Sequence, residues 1–259
     1  MYSYAAICSR GPVLETNDDR VWINGKILSE GSESGPLPQS FFLAAVCDGV
    51  GGLQKGYLAA EETLQCLSQL DQPGMGRSNI RNRIEEANGR VRETQMQEGL
   101  TAGIRTTLAG IYIDRDTFFV FNAGDSRVYR FHDGLLQQIS RDHSLIQEMI
   151  EAGELSAAEA RRHPQRNIIT KCIGDTERVN ARIVDHTGEL VDGDILFLCS
   201  DGISDCIDDV MLEGLLSQIA LESMEHIVTE IYDKAAGLGA SDNISLCLIR
   251  KEEDSNGEF

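Results

Sequence analysis

At 259 residues, with 41% hydrophobic and 25% charged side chains, the chain has the composition of an ordinary soluble globular protein and length enough for one full-sized core. A formal net charge of −19 repels the phosphate backbone of nucleic acid and an anionic membrane surface, so neither is expected as a partner. The seven cysteines are odd in number, scattered and free of any CxxC pair, which argues against a disulfide framework and a zinc site and for reduced core residues.

Residues 1–4 lack the charged and apolar regions of a signal peptide, and no apolar run reaches the roughly 18 residues of a membrane span. A reducing cytoplasm is the expected address. The simplest organisation is one domain over residues 1–250, acting as a monomer, followed by a polar tail over 251–259.

In chain order, residues 5–8 and 20–23 read as short strands flanking the turn-rich Gly11-Pro12-Val13-Leu14-Glu15-Thr16-Asn17-Asp18-Asp19, and residues 31–38 read as a surface loop. Residues 41–47 form a continuous apolar run, the pattern of a strand buried on both faces, and stop at Asp48 set among Gly49, Gly51 and Gly52. Tyr57, Ala60, Leu64 and Leu67, then Ile80, Ile84, Ala87 and Val91, recur at helical spacing on either side of a Pro73-Gly74-Met75-Gly76 break. Residues 106–113, 118–122, 127–131 and 135–139 read as a strand meander, with Asp133-Gly134 as a two-residue hairpin turn. Beyond it the pattern predicts a helix over 144–151, strands over 168–172 and 181–184, and an apolar strand over 194–200 that breaks at Asp201-Gly202. A helix carrying Met224, Ile227, Val228, Ile231 and Ala235 precedes a last strand over 244–249, which follows Asp242. Runs of strands with helices grouped in pairs, in place of strict β-α-β alternation, predict an α+β fold of antiparallel sheets with helices outside.

Asp48, Asp201 and Asp242 each stand at the edge of an apolar strand. A bare carboxylate there is costly unless water or a cation meets it. Three of them make a hard-oxygen site suited to Mg²⁺ or Mn²⁺, which prefer carboxylate, carbonyl and water to imidazole or thiolate. Bound cations would invert the local sign of an acidic surface and let an anionic substrate approach. The plainer reading of each is a turn, since Asp-Gly is a frequent turn dipeptide without any metal.

Five signatures follow one another along the chain: Asn17-Asp18-Asp19, Asp48-Gly49-Val50-Gly51-Gly52, Ala123-Gly124-Asp125-Ser126-Arg127, Ser200-Asp201-Gly202 and Ser241-Asp242-Asn243-Ile244-Ser245. In that order they resemble the bacterial members of the protein phosphatase 2C-type, metal-dependent serine/threonine phosphatases, and the resemblance covers nearly the whole chain. It implies two packed antiparallel β-sheets flanked by pairs of α-helices. It also implies two Mg²⁺ or Mn²⁺ ions per active site, with Asp48 bridging them, the Gly49 carbonyl on one, and Asp201 and Asp242 on the other. Asp18 and Asp19 would join Asp48 in the catalytic set by orienting metal-bound waters. Asp125 matches a ligand of a third, weaker metal, against the plainer role of closing a hairpin. The implied reaction is hydrolysis of phosphoserine and phosphothreonine on proteins, the products of a serine/threonine kinase, by a water or hydroxide shared between the ions.

Two positions depart from the family pattern. The family places an arginine three residues before the asparagine of its first signature, to grip the substrate phosphate by bidentate hydrogen bonds; here that position is Leu14. Candidate substrate-binding cations are Arg10, Arg105, which replaces the glycine of a Gly-Thr-Thr pattern, and Arg161 and Arg162 in a basic stretch with His163 and Arg166. Solvated surface arginines are the plainer reading. Val50 stands where eukaryotic members carry a histidine proposed to protonate the leaving alcohol; His143 offers a substitute but, ahead of a helix, fits a structural hydrogen-bonder better. Leu14 motivates two alternatives: a pseudophosphatase that binds phosphoproteins or a kinase with little turnover, and a phosphatase dedicated to one regulatory phosphoserine.

Overall fold

The computed structural model describes residues 1–50, 55–101, 103–115, 117–160 and 163–252. Its strands are β1 (Tyr2–Ser9), β2 (Arg20–Ile23), β3 (Lys26–Leu28), β4 (Gly31–Leu37), β5 (Phe41–Cys47), β6 (Gly49–Val50), β7 (Arg105–Thr106), β8 (Leu108–Asp114), β9 (Thr117–Ala123), β10 (Arg127–His132), β11 (Leu135–Gln138), β12 (Arg182–Asp185), β13 (Ile195–Cys199) and β14 (Ile244–Lys251). Its helices are α1 (Gly56–Leu67), α2 (Arg77–Gln97), α3 (Leu145–Glu151), α4 (Ala157–Ala160), α5 (Asp201–Ser204), α6 (Asp209–Leu216) and α7 (Met224–Gly237).

Among the described residues twelve strands build two antiparallel six-stranded sheets, ordered β11-β10-β13-β14-β1-β4 and β12-β9-β8-β5-β2-β3, and β6 pairs with β7. Strand periodicity decides what lies between and outside them. On β1, Tyr4, Ala6 and Cys8 enter a layer shared with Val21 and Ile23 of β2 and Phe42, Ala44 and Val46 of β5, whereas Ala5 and Ile7 face Ile227, Val228 and Ile231 of α7. On β5, the alternate residues Leu43, Ala45 and Cys47 meet Ala59, Ala60 and Leu64 of α1 and Ile80 and Ile84 of α2. Central strands are thus buried on both faces, which is why they read as apolar runs without polar alternation. The result is the four-layer order helices, sheet, sheet, helices. Each fully buried Leu, Ile or Phe side chain in these layers contributes about 1.5–3 kcal/mol.

Several elements differ from the sequence reading. The loop expected over 31–38 is instead the edge strand β4, paired along β1 from Tyr2↔Leu37 to Cys8↔Gly31. Its backbone finds partners although its side chains bury little, and Pro36 is tolerated because an edge strand has an unpaired side. The strand expected over 168–172 is reduced to isolated bridges, Ser144↔Ile169 and Thr106↔Ile173. The strand expected over 106–113 is two pieces, β7 and β8, parted at Thr107. Helix α6, capped by Asp208 accepting from Met211 N at 2.8 Å, was not anticipated. The Asp133-Gly134 turn is as read, with positive φ at both residues (47° and 79°) as a type I′ hairpin demands. Of the tail expected over 251–259, Lys251 completes β14 and Glu252 N donates to Met1 O at 2.8 Å; residues 253–259 lie outside the described residues.

Register fixes where the chain reversals fall. Ser9 pairs with Ile244, Cys199 with Arg127, Cys47 with Arg20, Val46 with Ala109 and Ala123 with Leu108. The ends of β1, β5, β9 and β13 therefore meet the starts of β2, β8, β10 and β14 along one edge of the sandwich.

Candidate active site

That edge gathers the acidic turns: Asp18 and Asp19 before β2, Asp48 after β5, Asp125 between β9 and β10, Asp201 opening α5 and Asp242 ahead of β14. Their backbones touch. A Cβ on Gly49 would lie 2.5 Å from the Gly56 carbonyl oxygen and 2.6 Å from that of Asp18, and one on Gly202 would lie 2.0 Å from the Asn243 carbonyl oxygen. Glycine at these two places lets separate strand ends close on one another. Gly51 and Gly52 of the second signature lie outside the described residues.

Hydrogen bonds fix the backbone of the acids and leave one carboxylate oxygen each of Asp19, Asp125 and Asp201 without a donor. Asp48 N donates to Thr107 Oγ1 at 3.0 Å, while its carbonyl accepts from Thr107 N and Thr106 Oγ1, each at 2.9 Å. Thr107 Oγ1 also lies 2.7 Å from Ser126 Oγ, which ties Asp48 to the turn carrying Asp125. Asn243 joins the first and last signatures: its Oδ1 accepts from Asp18 N at 2.8 Å and its Nδ2 donates to the carbonyls of Arg10 and Thr16 at 3.0 and 2.9 Å. Asp18 Oδ1 accepts from Tyr57 N of α1 at 3.2 Å. The supporting roles of Thr106, Thr107, Ser126 and Asn243 escaped the sequence reading. Only the polar Thr-Thr pair and the Asn beside Asp242 signalled them.

The electrostatics record the crowding. Burial holds the Asp48 carboxyl well above the ordinary carboxylate range, and the neighbouring Asp19, Asp201, Asp242 and Asp125 push it the same way. Asp201 is raised likewise by burial, then by Asp125 and Asp242. Burial lifts Asp19 to about 7 against the pull of the Ser245 and Ser200 hydroxyls, and burial with the Asp142 charge lifts Asp125 to about 6. Asp18 is raised by burial, opposed by Tyr57 N and the Arg20 charge. Asp19 Oδ2, Asp125 Oδ1 and Asp201 Oδ1 are buried with no hydrogen-bond partner among the described residues. Buried oxygens without donors, set among like charges, fit a site for hard divalent cations. Among the described residues no three acidic, histidine or cysteine side chains converge on one point. The donor set suits ions held by few carboxylates and completed by carbonyl and water, as Mg²⁺ and Mn²⁺ accept. Asp48, Asp201, Asp242 and Asp125, with the Gly49 carbonyl, are the groups available.

The remaining candidates are dispersed. Arg10 is exposed beside the Asn243 clamp. Arg105 is ion-paired with Asp175 at 2.9 Å. Arg161 and Arg162 lie outside the described residues, and Arg166 stands 3.7 Å from Asp205. Leu14 and Val50 are 37% and 40% exposed. His143 is structural: its Nδ1 accepts from Gly124 N at 3.3 Å, its own N donates to Gly124 O at 2.8 Å, and burial with the Lys171 and Arg141 charges lowers it to about 4. A cavity of about 340 Å³ opens beside Asp125 and Asp201, walled by Ile146 and Ile150 of α3 and by Asp205 and Asp209.

No family model matches the chain. A protein phosphatase 2C-type protein of Streptococcus pyogenes is 30% identical to it over 219 residues, 82% of this chain and 87% of that protein. The chain belongs to the protein phosphatase 2C-type family. The solved structure of the Mycobacterium tuberculosis serine/threonine phosphatase PstP/Ppp, 26% identical, aligns with a TM-score of 0.84 over 98% of this chain and 100% of that one. The same phosphatase fold recurs in the catalytic domain of a serine/threonine protein phosphatase PstP solved in complex with two manganese ions, 24% identical, with a TM-score of 0.79 over 98% of this chain and 100% of that one. The α+β sandwich implied by the five signatures is therefore the fold of the family.

Proposed function

We propose that this member of the protein phosphatase 2C-type family hydrolyses phosphoserine and phosphothreonine on proteins, using two Mg²⁺ or Mn²⁺ ions. The observation that carries the reading is the set of buried carboxylate oxygens on Asp19, Asp125 and Asp201 that lack donors. The two manganese ions of the PstP structure and the serine/threonine phosphatase names of the relatives support it. When bound, such ions supply an activated water at neutral pH and neutralise the phosphoryl oxygens during in-line attack.

The chain's own groups divide the remaining work. Asp48, Asp201 and Asp242, with the Gly49 carbonyl, would hold the two ions, and Asp125 would help hold a third, weaker one. Thr106 and Thr107 hold the Asp48 backbone so that its carboxylate keeps one direction. Asp18 and Asp19 accept hydrogen bonds from water at the site and orient it. No side-chain nucleophile is required. Arg10 is the better-placed described cation for the substrate phosphate, because Arg105 is engaged by Asp175. Arg161 and Arg162 remain candidates for contact with the substrate protein.

The working unit is a single monomeric phosphatase domain in the cytoplasm, opposing a serine/threonine kinase in signalling. Its seven free thiols, six of them buried, suit a reducing compartment. No helix among the described residues is long and apolar enough to cross a membrane. The test is hydrolysis of a phosphothreonine peptide with Mn²⁺ by the parent, Asp48→Asn and Asp201→Asn. Turnover by the parent alone is expected. Equal rates in all three would sink the assignment, and absent turnover with tight phosphopeptide binding would favour the pseudophosphatase suggested by Leu14.

A further inference from the structure

Arg20 opens β2 immediately after the Asn17-Asp18-Asp19 turn and is 7% exposed. A buried guanidinium needs partners for its donors, and here they are unusually informative. Nη1 donates to the carbonyls of Asn17 at 2.8 Å and Asp19 at 2.6 Å, the residues on either side of Asp18. Nε donates to Glu61 Oε1 of α1 at 2.8 Å. The guanidinium carbon lies 5.2 Å from the centre of the Tyr57 ring, and Tyr57 N is the donor to Asp18 Oδ1. One side chain therefore fastens the acidic turn at two carbonyls and fastens α1 to the same turn through Glu61 and Tyr57. Among the described residues its donors go to these two carbonyls and to Glu61, and to no carboxylate of the acidic turns.

We propose that Arg20 is a positioning residue for the metal-dependent reaction: by clamping the Asn17 and Asp19 carbonyls it aims the Asp18 and Asp19 carboxylates into the acidic cluster, with Glu61 and Tyr57 holding the clamp. A plain stabilising ion pair would need only Glu61; two main-chain acceptors flanking a site residue are what positioning requires. Nε reaches Glu61 while Nη1 reaches both carbonyls, a spread of donors over two nitrogens of one rigid plane that a single lysine ammonium cannot reproduce. Residues that orient ligand-bearing groups without touching the ion typically change metal affinity or activity by about 10–100-fold when removed.

This inference rests on the two-ion reading, and the experiment separates them. Mn²⁺ binding is measured calorimetrically for the parent, Arg20→Ala, Arg20→Lys and Glu61→Ala, alongside thermal melts in EDTA and kcat and KM at saturating Mn²⁺. Arg20→Ala is expected to weaken Mn²⁺ binding about tenfold or more, Arg20→Lys to recover it only in part, and Glu61→Ala to shift it the same way by less. Loss of kcat with KM little moved should persist after normalising to the folded fraction read from the melts, which separates it from mere destabilisation. A folded Arg20→Ala that binds Mn²⁺ within about twofold of the parent overturns the role. If that variant does not fold, unchanged Mn²⁺ binding by Glu61→Ala overturns it instead. A parent that takes up no Mn²⁺ defeats the two-ion reading, and the role of Arg20 falls with it; a parent that binds with variants unaffected defeats only Arg20.

Discussion

The two ends of β13 hold aspartates in opposite circumstances. Asp194, 2% exposed, has both oxygens satisfied: Oδ1 meets His132 Nδ1 at 2.7 Å, and Oδ2 accepts from Arg130 Nε at 2.8 Å and Val191 N at 3.1 Å. Asp201, which opens α5 just beyond the strand, buries Oδ1 without a donor and feels the charges of Asp125, Asp242 and Asp205. A fold that only needed to bury carboxylates would treat both ends like the first, because an unpaired buried charge is the more costly state. The difference separates an aspartate that holds the protein together from one left unpaired, the state that suits the metal ligand proposed above.

The largest expected effect falls on the unpaired end. Asp201→Asn should lower kcat/KM on a phosphothreonine peptide by at least about a hundredfold, yet leave the melting temperature in EDTA unchanged or higher, because one of several repelling charges is gone. A clear fall in that temperature would place Asp201 in the same class as Asp194. The paired end should behave inversely: Asp194→Asn strands Arg130, whose side chain is 18% exposed, and should cost about 3 kcal/mol in urea denaturation with kcat of the folded fraction retained.

A third effect concerns pH. Burial lifts Asp19 to about 7 and Asp125 to about 6 from the ordinary 3.8, so the folded state holds protons that the unfolded chain has released. Their contribution to stability is full below about pH 4 and is lost as pH rises through about 6 to 7. Melts in EDTA should therefore fall over that interval, and Mn²⁺ should flatten the slope by replacing protons as the counter-charge. An EDTA profile without slope would contradict the unpaired state of these acids. The smallest effect is expected for Leu14→Arg at a 37% exposed position near the Asn243 clamp. It should lower KM for a small phosphoester a few-fold with kcat nearly constant, and an unchanged KM would put phosphate capture elsewhere.

Legibility followed burial. Strands β5, β13 and β14 were readable because burial on both faces leaves runs of apolar residues without regular polar alternation, and α1, α2 and α7 because each buries one face at helical spacing. Edge strand β4 was not: its order comes from backbone pairing with β1, while Ser32, Glu33 and Ser34 look like loop residues. The same holds at the site. Its acids were visible as strand-end turns, but the threonine clamp on Asp48, the Asn243 bridge and Arg20 are contacts between segments far apart in the chain, and residue type alone does not announce them. Arg105 looked available for substrate and is engaged by Asp175, a partner that only folding supplies.

The order of apolar runs and of the Asp-bearing turns, written in the chain itself, determined the layers of the sandwich and the identity of its acidic residues, since side-chain periodicity dictates which faces can be buried. Which of those acids are left without partners was decided by the tertiary structure. Strand register brings Ser9, Cys47, Ala123 and Cys199 to a common edge, and only that meeting makes the carboxylates repel one another and fit them for cations.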